Sequence, residues 1–195
     1  MINPIYAHPI LYELALRLLY RSHYHERFSA VAAEIPDDSS VVDLCAGDCA
    51  LFRHVLIRKN VNYLACDRNE LFLSWAQKKG IPTQRIDLIT DEIPSADCVV
   101  MMGSLYQFIP DEQPIIEKMI RAAHNKVIIT EPTRNLADSR YAILRWFAGE
   151  LTKLGSQTRS HRFNEESLKT TLSQFGFHDF KTIAGGREIL ACRTV

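Results

Sequence analysis

Three aspartates stand at the ends of short apolar runs. Asp43 lies in the stretch VVDLCAGDCAL, Asp67 closes YLACD and Asp87 closes QRID. A carboxylate accepts several hydrogen bonds at once, so it suits a ligand that carries hydroxyl or ammonium groups. Because the carboxyl ends of parallel strands share one edge of a sheet, we expect the three acids to lie close together. The pattern predicts a small-molecule site at that edge.

The small-residue loop of the first stretch allows three interpretations: a nucleotide-binding turn, a thiol or metal site, or an ordinary strand-to-helix connection. A dinucleotide turn needs GxGxxG, and only Gly47 is present, which disfavours NAD. Cys45 and Cys49 lack a second cysteine pair, and His23 and His25 point apart on a helix. No metal site is therefore expected, and the five cysteines are expected to be reduced.

Each acid also has a purely structural interpretation. Asp43 is suited to capping the following turn, and Asp67 to the N-terminus of the next helix. Asp87 lies in a weak strand pattern and is suited to the surface. Their shared position at the ends of successive strands is what favours a common site.

The elements that must position these residues alternate along the chain. A helical pattern with an apolar stripe (Ile10, Leu11, Leu14, Leu18, Leu19) runs from Pro9 to about Ile35, with a break near Ser22. Buried parallel strands are predicted at residues 41–45, 61–66, 97–102 and 127–130, and residues 84–87 form a weaker strand pattern. Helices are predicted at residues 50–59, 70–79, 111–123 and 165–174, and two strands joined at Gly185 and Gly186 follow at 177–183 and 188–193. The prediction is a doubly wound, seven-stranded, mostly parallel α/β sheet with a C-terminal antiparallel hairpin and an N-terminal helical extension.

Composition limits the classes of function. The 195 residues suit one domain (1–195), divided into a helical segment (1–36) and an α/β core (37–195). Basic and acidic residues both number 23, which disfavours nucleic acid as a partner. No apolar run is long enough to span a membrane, and the first residues lack a secretory pattern. A cytoplasmic location is expected, and the oligomeric state stays open.

The order of the motifs resembles the class I S-adenosylmethionine-dependent methyltransferases. The resemblance covers roughly residues 30–195 and depends on VVDLCAGDC, LACD, RID, ADCVVMMGSLYQF, IITEP and FGF in that sequence. The family's first motif has an acid followed by GxGxG, and here Cys45 and Cys49 replace the outer glycines. The resemblance implies an enzyme that transfers a methyl group, with S-adenosylmethionine as cofactor.

The resemblance also implies roles for individual residues. The loop from Asp43 would hold the amino-acid end of the cofactor, Asp67 the ribose hydroxyls and Asp87 with Leu88 the adenine. Residues after the fourth strand would flank the reactive methyl group. The implied cofactor-binding residues are Asp43, Cys45, Ala46, Gly47, Asp67, Arg68, Asp87, Leu88, Met102, Gly103 and Ser104.

In this family the first helix and the segment after the fifth strand commonly cover the acceptor, so the helical segment 1–36 is expected to be a lid. The substrate-binding candidates are Tyr20, Tyr24, Tyr106, Tyr141 and Arg162, and the catalytic candidates are Tyr106 and His161. For the tyrosine pair on the first helix, simple packing is the alternative. The aromatic lining favours a small organic or lipid-like acceptor, and nothing selects oxygen, nitrogen or carbon. A catalytically inactive binding protein and a nucleotide-dependent oxidoreductase are the competing functions.

Overall fold

A single seven-stranded sheet organises the chain. The computed structural model describes residues 9–133 and 162–195. The strands are β1 (Ser40–Leu44), β2 (Asn62–Asp67), β3 (Thr83–Arg85), β4 (Ala96–Met102), β5 (Ala123–Pro132), β6 (Asp179–Ile183) and β7 (Glu188–Thr194). Their order is β3-β2-β1-β4-β5-β7-β6, and only β7 runs antiparallel to its neighbours. The predicted fold class is confirmed.

Within the described residues, six α-helices connect and cover the strands: α1 (Pro9–Tyr20), α2 (Tyr24–Ala33), α3 (Ala50–His54), α4 (Glu70–Gln77), α5 (Glu112–Ala122) and α6 (Glu165–Gln174). One-turn 3-10 helices lie at Arg21–His23, Leu56–Arg58 and Leu105–Phe108. The first of these is the break that the sequence predicts near Ser22. Asn164 begins α6 with a capping box, in which its side chain accepts from the Ser167 amide.

The two faces of the sheet bury two separate cores, as a doubly wound fold requires. Alternate strand residues face opposite sides, so Val41 belongs to the core under α1 to α4, whereas Val42 belongs to the core under α5 and α6. Most of the strand residues in both cores are fully buried. The carboxyl ends of the strands are therefore held at fixed positions by packing on both faces.

Three predicted element boundaries are wrong. Helix α3 ends at His54 because Val55 has φ −130°, and a 3-10 turn takes the place of the predicted continuation to residue 59. Strand β5 extends from Ala123 to Pro132 because β4 and β7 both pair with it. Strand β3 ends at Arg85, so Asp87 lies beyond it rather than inside it.

The apolar stripe of α1 is also placed differently from the prediction. Ile10, Leu11, Leu14 and Leu18 are 49–59% exposed, and only Leu19 of the stripe is buried. The half-buried residues of α1 include Tyr12 and Leu16 instead. No helix in residues 9–133 or 162–195 is long and apolar enough to span a membrane.

Candidate functional site

The predicted site residues follow four neighbouring strands at one edge of the sheet. Strand β1 lies between β2 and β4, and the chain leaves both neighbours at the same edge. Asp43 pairs with Ala65 inside the sheet, Asp67 ends β2, and Asp87 lies two residues past β3. The structure thus brings the three acids to a common rim, at the point in the strand order where an open α/β sheet usually binds a ligand.

The loop after β1 adopts a glycine-like backbone even where it has cysteine. Cys45, Gly47 and Cys49 have φ of +53°, +53° and +54°. This left-handed region costs a non-glycine residue roughly 1–2 kcal/mol. The Ala46 amide donates to the Cys66 carbonyl at 3.1 Å, and the Gly47 amide donates to Asp67 Oδ2 at 2.9 Å. The two cysteines therefore adopt a backbone conformation that ordinarily favours glycine.

This conformation predicts that glycine is more stable than alanine in the loop, the reverse of their order in a helix. At position 45, we expect Cys45→Gly to be more stable than Cys45→Ala by about 1 kcal/mol, because both lose the sulfur and only glycine tolerates φ of +53°. Ser74, exposed in α4, is the matched control. There alanine should be more stable than glycine by about 1 kcal/mol. Urea unfolding of the four variants measures both differences, and the same preference at both positions would contradict the assignment of strain.

Asp43 is a buried acid with one side-chain partner. It is 3% exposed, and its Oδ2 accepts a hydrogen bond from the Tyr63 hydroxyl at 2.7 Å. The pKa of Asp43 is raised to about 7, chiefly by burial; the Tyr63 bond opposes this shift, and the charges of Asp67 and Asp48 contribute to it. In the described ranges, no basic side chain forms an ion pair with Asp43. The position therefore favours a cation nearby.

Asp67 ties the first loop to the second. Its Oδ2 accepts from the Gly47 amide and its Oδ1 from the Asn69 amide, both at 2.9 Å. Burial raises the pKa of Asp67 despite these amide bonds. Each carboxylate oxygen has a second lone pair, so Asp67 retains the capacity to accept from a ligand. The neighbouring Arg68 side chain is exposed.

Asp87 organises a tight turn after β3. Its Oδ1 accepts from the Ile89 amide at 3.1 Å, and its own amide donates to Asp91 Oδ2 at 2.9 Å. Leu88 is buried, and Lys118 donates to its carbonyl at 3.0 Å. The turn is fixed beside the rim.

Helices α1 and α2 form a roof over the loop. A Cβ at Gly47 would lie 3.6 Å from the Tyr12 ring, and a Cβ at Gly103 would lie 3.7 Å from the Arg27 guanidinium. A narrow cleft remains between the roof and the rim. Its lining comprises Tyr12, Leu16, Arg27, Phe28, Asp43, Cys45, Ala46, Asp48, Ala50, Leu51 and Met102.

An ion-pair chain fastens this roof to the loop. Arg53 contacts Glu13 of α1 at 2.9 Å and Asp48 at 2.6 Å. Asp48 is 2% exposed; burial raises its pKa to about 6, and Arg53 opposes that shift. His54 lies 3.3 Å from Glu13. The charges of α1 and the loop thus neutralise each other across the mouth of the cleft.

The acceptor candidates divide into three groups. Tyr20 is buried and donates to Glu188, with the Arg27 guanidinium 4.1 Å from its ring centre. Tyr24 is fully buried against Phe28, in the packing role that was its alternative. The other described candidates lie after β4 and before α6, where Arg162 stacks on Tyr106 at 4.6 Å and Ser104 is buried. Tyr141 and His161 lie outside the described residues.

Sequence reasoning missed three buried charged residues. Glu131 is the penultimate residue of β5, Glu188 begins β7, and Arg27 contacts Glu188 at 2.9 Å. The signal for Glu131 was present, because IITEP places an acid at the carboxyl end of a strand just as LACD does. Arg27 stood out less, as one charge on an otherwise apolar face of α2.

One cluster has metal-ligand residue types, at the opposite edge of the sheet. Ligand atoms of Glu34, Asp179 and Cys192 lie within 4.8 Å of one another. Lys181 contacts Glu34 at 2.6 Å and Asp179 at 3.4 Å, and burial raises the pKa of Cys192 to about 12. Lysine already balances the acids and the thiol stays protonated, so the cluster is an ion-pair network. All five cysteines are free.

The fold is that of the class I S-adenosylmethionine-dependent methyltransferases. A chain from a Haloferax volcanii complex of a methyltransferase with its activator superposes with a TM-score of 0.67, at 14% identity over 92% of both chains. Magnesium protoporphyrin IX methyltransferase of Synechocystis, with bound S-adenosylhomocysteine, gives 0.62 at 14% identity over 95% of this chain and 86% of that chain. Human N-acetylserotonin methyltransferase, with bound S-adenosylmethionine, gives 0.63 at 19% identity over 98% and 58%. No protein-family model and no curated protein matches the sequence.

Proposed function

We propose that the protein is an S-adenosylmethionine-dependent methyltransferase acting on a small organic or lipid-like acceptor. One observation carries the proposal: Asp43, Asp67 and Asp87 lie near or just past the carboxyl ends of three adjacent strands, beside a loop with three residues of left-handed backbone. The fold likeness supports the same activity.

The residues at the rim fit the cofactor. Asp67 has lone pairs free for the two ribose hydroxyls, and the turn at Asp87 and Leu88 would face the adenine. The loop residues 45–47 would hold the amino-acid end, whose ammonium supplies the cation that Asp43 lacks. Met102, Gly103 and Ser104 would lie beside the reactive end, and the Arg68 amide beside the ribose.

The cofactor supplies an electrophilic methyl group on a sulfonium. The chain's contribution is to align the acceptor on the far side of that methyl group and to exclude water. We propose that Tyr20, Tyr106 and Arg162 contact the acceptor, and that Tyr141 and His161 complete this set. The buried Tyr24 would support the roof.

We also propose that residues 1–36 are the lid of a single domain whose core is residues 37–195. Tyr12 packs directly on Gly47, where the cofactor would lie, so the roof must separate from the loop to admit it. The Glu13–Arg53–Asp48 chain is the contact that would break.

Calorimetric titration tests the proposed function. We expect S-adenosylmethionine and S-adenosylhomocysteine to bind in the micromolar range and NADH not to bind. Binding of NADH alone would favour an oxidoreductase. Binding of neither would favour a binding protein that has lost catalysis, and the proposal would be wrong.

A further inference from the structure

Glu131 is a fully buried carboxylate with one oxygen that has no hydrogen-bond partner. It lies one residue before the carboxyl end of β5, on the rim, at 0% exposure. Its Oε1 accepts from the Leu105 amide at 2.5 Å, which fixes it against the turn that follows Met102–Ser104. Its Oε2 is buried and has no hydrogen-bond partner.

Arg162 has a buried donor atom that also lacks a hydrogen-bond partner. Its guanidinium stacks on the Tyr106 ring at 4.6 Å, and its Nη2 is buried without a hydrogen-bond partner. The same guanidinium is close enough to lower the pKa of Glu131. A buried acceptor and a buried donor therefore stand unpaired around the segment proposed to flank the methyl group.

A hydroxyl group offers both the donor that Glu131 Oε2 lacks and the acceptor that Arg162 Nη2 lacks. Leaving a buried polar atom unpaired is unfavourable, so such atoms in a folded protein usually meet a ligand or water. A hydroxyl donates its proton to a carboxylate and accepts from a guanidinium with the same oxygen, whereas a cationic amine has no lone pair for Arg162.

We propose, on the basis of the proposed function, that Glu131 is the general base for an acceptor hydroxyl whose oxygen also accepts a hydrogen bond from Arg162. The reaction is then O-methylation. The acceptor oxygen forms a bond to the methyl carbon as the carbon–sulfur bond breaks, and the electron pair of that bond stays on sulfur. The hydroxyl proton moves to Glu131 Oε2, so charge and atoms balance.

The protonation of Glu131 sets a pH dependence. Burial raises its pKa to about 8, Glu188 of β7 adds to the shift, and the Leu105 amide and Arg162 oppose it. Tyr20 of α1 is the other titratable group in range. The base form is a minority at pH 7 and a majority above pH 8, so kcat/KM should rise through this interval and then level off.

Binding to the protein saturated with S-adenosylhomocysteine gives the first test. The probes are three aryl hydroxyl compounds: phenol, catechol and 1-naphthol. Each is compared with its methyl ether, in which the methylated oxygen has no proton to donate. At pH 8.5, chosen to lie above the pKa of about 8, wild type should prefer the hydroxyl compound by about tenfold, as a bond to a charged acceptor implies. In Glu131→Gln the amide oxygen can keep the Leu105 bond, and the preference should vanish. Glu166→Gln, an exposed change in α6, should retain it.

Turnover gives the second test. With S-adenosylmethionine at pH 8.5, wild type should methylate the hydroxyl compounds and leave benzylamine, which is mostly a cation at this pH, unmodified. Glu131→Gln should lower kcat by on the order of a hundredfold or more, remove the pH rise and leave the affinity for S-adenosylhomocysteine unchanged. Glu131→Asp keeps the charge with a shorter reach, and should be slow yet still rise with pH.

Three outcomes overturn the assignment while leaving the proposed function intact: transfer to benzylamine, transfer to none of the hydroxyl compounds, or a Glu131→Gln variant within twofold of wild type. Failure of the wild type to bind S-adenosylhomocysteine would instead remove the proposed function itself, and this assignment with it.

Discussion

Replacing Arg27 with methionine is expected to lower the free energy of unfolding by about 3–5 kcal/mol. Arg27 is 5% exposed and pairs with Glu188, which is 0% exposed, at 2.9 Å. It also lies over the Tyr20 ring at 4.1 Å. Its removal leaves the Glu188 charge buried without its partner and loosens α1 and α2 from the sheet. Urea unfolding followed by circular dichroism measures the loss.

A double variant separates the ion pair from simple packing. Arg27→Met combined with Glu188→Gln removes both charges, and it should recover most of the stability lost in Arg27→Met. Arg58→Met, an exposed arginine, should change stability by less than about 0.5 kcal/mol. If the double variant is no more stable than Arg27→Met, the packing of the guanidinium on Tyr20 is what matters, and the charge argument is wrong.

Replacing Asp67 with alanine is expected to weaken the binding of S-adenosylmethionine by more than about tenfold. The variant loses a carboxylate that would hold two ribose hydroxyls, and bonds to a charged group contribute roughly 1.5–3 kcal/mol each. The Gly47 amide also loses its acceptor, so the loop conformation is affected as well. Calorimetric titration gives the affinity.

Two further variants show whether the loss of affinity in Asp67→Ala comes from the missing charge or from a disturbed loop. Asp67→Asn keeps an acceptor oxygen for one of the two backbone amides but turns its NH2 group toward the other, so its melting temperature should fall less than that of Asp67→Ala while its affinity still falls. Asp37→Asn removes an exposed acid away from the rim and should leave binding unchanged. Wild-type affinity in Asp67→Ala would place the cofactor elsewhere.

Much of the fold followed from local pattern. Apolar runs of four to seven residues separated by helix-length segments predict buried parallel strands, because each such strand must be apolar on both faces. Gly185 and Gly186 predict the terminal turn for a similar local reason. The rim position of Asp67 followed directly, since it ends an apolar run. Boundaries such as those of β5 did not follow, because pairing with β4 and β7 extends that strand into polar residues.

Like the fold, the site was predicted from the sequence only in part. The sequence placed Asp43, Asp67 and Asp87 at successive strand ends, but it gave no sign that Cys45 and Cys49 take the backbone of glycine. Nor did the apolar stripe of α1 indicate that Ile10 and Leu14 would be exposed. The direction in which a helix faces depends on what it meets, and here Tyr12 meets Gly47.

By itself the sequence determined the doubly wound sheet and the acids along its rim, because both depend on residues that are neighbours in the chain. Only the tertiary structure decided that Arg27 pairs with Glu188 across 161 positions, and that Glu131 lies buried with one oxygen unpaired. Such contacts depend on how distant strands and helices are brought together, and the resulting burial sets the charge state of each group.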